Sequence, residues 1–185
     1  MTKVVWDLKK PLPRKSINKK IVVNPASEEQ LREVGKILVI TWGGFIKSPD
    51  VTVKRVGPYL AAGLEQPFIA YLDNQPVGCV SPRLNNESTI GILDGGVHVL
   101  PEHRRKRIGT TLLLTALKWL KDHDMKTVEV TPFNPEGDKA VQRAKAFYLA
   151  NGGKRSKSQG TRSQEPQQER HKAGVTTFKS LRHSL

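Results

Sequence analysis

Between Ser88 and Lys121 a strand-like run carries the pair Gly95-Gly96, stops at Pro101, and passes through a basic loop into a helix. Leu112, Leu113, Ala116, Leu117 and Leu120 recur along one side of Ile108–Lys121, so this helix must bury that side against another layer. A glycine pair inside a strand marks a bulge or a place where another molecule comes close to the backbone. The first N–H groups of a helix have no partners within it and carry the positive end of its dipole. Here they follow His103-Arg104-Arg105-Lys106-Arg107, and Gly109 lets a ligand approach the backbone. Such a strand–loop–helix passage suits a diphosphate. The plainer alternative is a basic loop that only solvates a helix end.

The rest of the chain supplies the layers this helix needs. Ile21-Val22-Val23 reads as a first strand. Ser27 and Gln30 fit a capping box for a helix over 28–41, which Trp42-Gly43-Gly44-Phe45 ends. A second helix covers 51–64. Residues 67–72 and 76–80 form a hairpin around Asp73-Asn74-Gln75, with Cys79 as a core thiol rather than a nucleophile. Thr127–Thr131 is a strand, and 138–150 a helix closed by Asn151-Gly152-Gly153. Residues 154–173 are polar, a loop or frayed strand, and 175–181 alternate as a last edge strand. The element order predicts an α/β or α+β mixed sheet.

A chain of 185 residues fits one domain. Its formal net charge of +14 is concentrated at the ends: residues 1–20 hold seven Lys/Arg and one Asp, and 154–185 hold eight Lys/Arg and two Glu. Residues 1–20 are therefore expected to be a basic N-terminal arm, with 21–185 as the single domain. Basic ends either are solvated tails or contact a polyanion such as RNA or the ribosome. No apolar run reaches the roughly 18 residues of a membrane helix, and the basic start lacks the apolar stretch of a secretory signal. The lone Cys79 excludes an internal disulfide and a cysteine zinc site, and the histidines show no metal spacing. The expectation is a cytoplasmic protein without a metal.

The segment Val99-Leu100-Pro101-Glu102-His103-Arg104-Arg105-Lys106-Arg107-Ile108-Gly109-Thr110-Thr111-Leu112-Leu113 resembles the V-x-P-x-x-[RQ]-x-x-G-x-[GA]-x-x-L-L pattern of the GNAT superfamily of acetyl-CoA-dependent N-acetyltransferases. Ala146-Phe147-Tyr148-Leu149-Ala150-Asn151-Gly152 resembles the family's A-x-[FL]-Y-x-x-x-G segment. The likeness covers about 21–153 and the strand at 175–181. It implies a mixed, mostly antiparallel central sheet in which the family's fourth and fifth strands splay apart, flanked by about four helices. It also implies direct acetyl transfer from acetyl-CoA to a primary amine, of a protein or a small molecule, without an acyl-enzyme. By the same likeness the pantetheine arm runs along Val97, His98 and Val99, and Arg104 stands in the motif. The diphosphate rests on Arg105, Lys106, Arg107, Ile108, Gly109 and Thr110, and Asn134 contacts the cofactor.

Arg107 stands where the family has its first glycine, and helical φ/ψ with a guanidinium reaching a phosphate is expected there. Tyr148 stands where the family places a general acid for the leaving thiolate; alternatively its ring only packs on the core. For the amine's proton, Asp94 beside the glycine pair is the first choice, a turn-forming aspartate being the alternative, with His98 and Glu129 as further candidates. Trp42, Gly43, Gly44 and Phe45 either wall the acceptor site or are a helix stop with two core aromatics. Against the enzyme stand two other readings, a GNAT-like module that binds acyl-CoA without catalysis and a basic RNA- or ribosome-associated protein.

Overall fold

The computed structural model describes residues 2–43, 45–133 and 137–157. Its strands are β1 (Thr2–Asp7), β2 (Ile21–Pro25), β3 (Phe68–Leu72), β4 (Gln75–Arg83), β5 (Ile90–Val99), β6 (Thr127–Val130) and β7 (Lys154–Lys157). Its helices are α1 (Leu31–Thr41), α2 (Pro49–Ala61), α3 (Ile108–Asp122) and α4 (Asp138–Ala150). The strands form one sheet in the order β2-β3-β4-β5-β6-β1-β7. Every neighbouring pair is antiparallel except β5 and β6. This is the mixed, mostly antiparallel sheet with four flanking helices that the sequence implies.

The apolar side of α3 builds the main core. Leu112, Leu113, Ala116, Leu117 and Leu120 are fully buried and cluster with Val77, Val80 and Val128 of the sheet. A smaller core joins Val34, Ile37 and Leu38 of α1 to Ile69 and Cys79. Burial pushes the Cys79 thiol up to about 12, so it is the inert core thiol expected. The hairpin turn places Asp73 and Asn74 at φ 51° and 62°, the left-handed pair a two-residue loop needs. Helix α1 starts three residues later than expected. Gln30 Oε1 accepts from the Ser27 N–H at 3.0 Å, but the Ser27 hydroxyl turns to Glu29 instead of capping.

The N-terminal segment departs most from expectation. Residues 1–20 are not simply an arm: Thr2–Asp7 is an interior strand, pairing with β6 (Trp6 opposite Val128) and β7 (Val4 opposite Arg155). Val4, Trp6 and Leu8 alternate into the core and are buried. Counting lysines hid this period of two. The chain then runs along α3. Lys121 Nζ donates to the Lys10 carbonyl at 3.1 Å, and Arg107 Nη1 donates to the Ser16 carbonyl at 3.1 Å. Residues Lys154–Lys157 of the stretch read as polar loop or frayed strand are β7; the strand expected at 175–181 lies outside the described residues. No described helix is long and apolar enough to cross a membrane.

Candidate active site

Strand β5 pairs with β6 only through Ile90–Ile92; beyond that the strands separate. On its other edge, β5 pairs Val97 with Val80 and Asp94 with Ser81, so Gly95 and Gly96 form a two-residue bulge. Their φ angles of 70° and 87° lie where side-chain-bearing residues are strained. The sequence feature that suggested a bulge therefore sits at the point where the sheet opens. A cleft of about 620 Å³ fills the opening, lined by Val97 and Val99 of β5, Gly109 and Thr110 of α3, and Phe147 and Tyr148 of α4.

Tyr148 is buried, and its Oη accepts the Val97 N–H at 2.9 Å. A Cβ on Gly96 would run into that oxygen. The ring stands edge-on to Trp6 at 5.7 Å, and the Trp6 indole N–H donates to the Asn151 carbonyl at 3.1 Å. Burial pushes the phenol up to about 12. Accepting from Val97 leaves the hydroxyl proton to be donated elsewhere. The Val97 amide, which the family likeness places along the pantetheine arm, is here engaged by the phenol.

At the cleft's other end the basic loop turns into α3. The first hydrogen bond back into the helix runs from the Thr111 N–H to the Arg107 carbonyl at 3.1 Å. The amides of Ile108, Gly109 and Thr110 thus stand outside the helix ladder, and no acidic residue occupies the first turn. Arg107 does not take the helical conformation expected: its φ is 64° and its ψ 10°. Its guanidinium bonds Ser16 rather than standing free for a phosphate. Arg104 and Arg105 both line the cleft; Arg104 Nε donates to the Val99 carbonyl at 3.2 Å, and Arg105 stands at φ 63°. Asn134 lies outside the described residues.

A second cavity of about 460 Å³ opens on the other side of the bulge. Asp94 lines this one, and its Oδ2 meets Arg55 Nη1 at 2.5 Å and Arg83 Nη1 at 3.3 Å. His98 reaches both cavities. Its Nε2 lies 3.0 Å from the Gly95 carbonyl and its Nδ1 2.9 Å from Thr41 Oγ1. Burial pushes the imidazole down to about 4, so it is neutral near pH 7. A carbonyl only accepts, so the ring proton sits on Nε2, and Nδ1 faces the Thr41 hydroxyl, whose one proton the Ile37 carbonyl at 2.9 Å shares. His98 thereby ties the bulge to the end of α1. Glu129 is bound to Lys3 at 2.5 Å.

Trp42 and Phe45 are not core aromatics: Phe45 is 57% exposed, and both line the second cavity. Phe133 stands 5.6 Å from Phe45 and 6.1 Å from Trp42, ring centre to centre. Sequence reasoning missed Arg55, Arg83, Glu65 and Phe133. The first three come from a helix, a strand end and the loop between α2 and β3, and no spacing links them.

A family model described as the acetyltransferase (GNAT) family matches residues 35–152. None of the curated proteins matches the sequence. Among solved structures, AAC(6')-Iy in complex with the bisubstrate analogue CoA-S-monomethyl-acetylneamine superposes with a TM-score of 0.58 at 17% identity, over 71% of this chain and 89% of that one. PaiA N-acetyltransferase from Thermoplasma acidophilum, in complex with coenzyme A, gives 0.55 at 20%, over 71% and 88%. The aminoglycoside 6'-N-acetyltransferase AAC(6')-IG from Acinetobacter haemolyticus gives 0.58 at 20%, over 88% and 99%. At such identities the likeness is one of fold.

Proposed function

Because the chain belongs to the GNAT acetyltransferase family, we propose that it transfers an acetyl group from acetyl-CoA directly onto a primary amine. The observation that carries this reading is the continuity of the cleft. It runs from the free amides at the start of α3, along the edge of β5 that β6 leaves beyond Ile92, to the bulge where Tyr148 stands. On that edge the Val97 N–H is held by Tyr148 Oη and the Val99 carbonyl by Arg104 Nε, so an arriving arm would exchange with these side chains. Amides at a helix N-terminus suit a diphosphate, and a strand edge left by its neighbour suits an amide-containing arm.

Acetyl-CoA supplies an acyl group already activated as a thioester. The amides of Ile108, Gly109 and Thr110, with the Arg105 side chain, would hold the diphosphate. Val97, His98 and Val99 would present backbone groups to the pantetheine arm. Tyr148 keeps its proton at any physiological pH and would offer it to the departing sulfur. His98, by holding the Gly95 carbonyl, fixes the shape of the bulge. An amine with a pKa of about 10.4 is only about 0.1% neutral near pH 7.4, so a proton acceptor is useful. Asp94, directly before the bulge on the acceptor side, is the residue we place in that role, through water.

The test is thiol release from acetyl-CoA with a panel of primary amines: amino acids, a lysine peptide, a polyamine and an aminoglycoside. Thiol release that depends on the amine supports the reading. Tyr148→Phe should lower kcat by about 10²–10⁴ while calorimetric CoA binding persists. Tight CoA binding with no turnover by any amine would favour a binding module. An absence of CoA binding would overturn the reading altogether.

A further inference from the structure

The charges around the second cavity are unequal. Lys47, Arg55 and Arg83 line it, and among the described residues Asp94 is the one carboxylate that does. Glu65 lies behind the wall, 1% exposed, with Oε1 accepting from the Ser81 hydroxyl and lying 3.9 Å from Arg55 Nη2 without a hydrogen bond. Its Oε2 has no partner among the described residues, and burial shifts it toward the neutral form. Three cations therefore face one exposed carboxylate. Both guanidinium groups converge on a single oxygen of Asp94, although each has five N–H donors. Arg83 is also held in place, its guanidinium 5.3 Å above the Tyr59 ring.

Resting on the acetyl transfer proposed above, with this cavity across the bulge as the acceptor's place, we propose that the acceptor is an amine carrying a carboxylate close to its nitrogen, received by Arg55 and Arg83. The position sets the distance. Asp94 directly precedes Gly95, so an anion taken up by these arginines lies beside the bulge where the amine must arrive. The side chains of Arg55, Arg83 and Asp94 are 40%, 26% and 30% exposed, within reach of a ligand. An entering carboxylate shares the guanidinium groups with Asp94, and exchange at Oδ2 loosens that oxygen toward the amine. Much of the remaining wall is apolar, with Leu38, Trp42, Phe45, Val51 and Val56 beside Thr52, Ser81 and His98, and suits an apolar body on the same acceptor. A polyamine, in contrast, would bring further positive charge against three cations.

The experiment compares three amines with one body: phenylalanine, phenylalaninamide and phenethylamine, with spermidine as the polycation. Rates of thiol release are expressed per neutral amine. For the wild-type protein, kcat/KM for phenylalanine is expected to exceed those for the other three by at least tenfold. In Arg83→Gln that ratio should fall toward one, chiefly through a rise in KM for phenylalanine, and in Arg83→Glu it should fall below one. The wild-type comparison needs no variant to fold. Turnover of phenethylamine or spermidine as good as that of phenylalanine overturns this inference and leaves acetyl transfer standing. Thiol release with none of these amines, nor with any of the wider panel, overturns both.

Discussion

A methyl group added at residue 96 tests the geometry of the site without any substrate. Gly96 has a φ of 87°, and a Cβ there would strike Tyr148 Oη, which accepts the Val97 N–H at 2.9 Å. Gly96→Ala therefore does two things. It places an L-residue on the left-handed side, at about 1–2 kcal/mol. It also pushes the phenol away and strips the half-buried Val97 amide of its partner, at about 1–3 kcal/mol. The single substitution should cost about 2–5 kcal/mol. Tyr148→Phe removes the same hydrogen bond and should cost about 1–3 kcal/mol. In the double variant the bond is lost once and the added methyl meets no oxygen. Its cost should thus fall short of the sum of the singles by about 1–3 kcal/mol. Urea unfolding followed by tryptophan fluorescence measures all three, since Trp6 stands against Tyr148. Additivity within about 0.5 kcal/mol would mean that the two sites do not touch, and the reasoning would be wrong.

His98 makes stability depend on pH. Its folded pKa of about 4 lies below the unfolded 6.5, so the unfolded chain binds the extra proton first. Its contribution is complete above pH 6.5 and is lost as pH falls toward 4, by about 3 kcal/mol in all. His98→Gln should flatten that part of the stability–pH curve. Deleting residues 2–7 removes an interior strand and the buried Val4 and Trp6, so the truncated protein should lose its cooperative thermal transition in circular dichroism; an arm would be dispensable. The Cys79 thiol should stay unlabelled by a disulfide reagent in the native protein and react fully in denaturant.

Features written in local order were legible before the structure. The glycine pair lies in the bulge, the long apolar stripe is α3, and the β-branched runs at 21–23 and 127–130 are strands. What required the fold was of two kinds. Some features were masked by a stronger signal: the alternation of Val4, Trp6 and Leu8 sits in a segment whose lysines dominate any count. Others do not exist in one dimension. Arg55 and Arg83 are 28 positions apart and meet only because α2 and the end of β4 border the same cavity. Asp94 was visible beside the bulge, but its two ion pairs were not.

Arg107 shows where a motif's chemistry resides. Arg107 stands where the family pattern has a glycine, and it takes a positive φ that a glycine adopts without strain. Left-handed geometry costs an arginine roughly 1–2 kcal/mol. The Nη1 bond to the Ser16 carbonyl offsets part of this, at the modest value of an exposed hydrogen bond. The same contact, with Asn18 Nδ2 donating to the Lys106 carbonyl at 3.4 Å, ties the segment after β1 to the loop. The amides of residues 108–110 stand outside the helix ladder with this arginine in place. A loop that presents its backbone amides tolerates a large side chain at the turn as long as that side chain finds a partner. Arg107→Gly and Arg107→Ala both remove the bond to Ser16, so the difference between them isolates the backbone cost. The glycine variant should be the more stable by about 0.5–1 kcal/mol, once the greater freedom of its unfolded chain is subtracted. Equal stability in urea unfolding would show that φ at this position relaxes when the guanidinium is gone, and that Ser16, not the loop's own path, holds the turn.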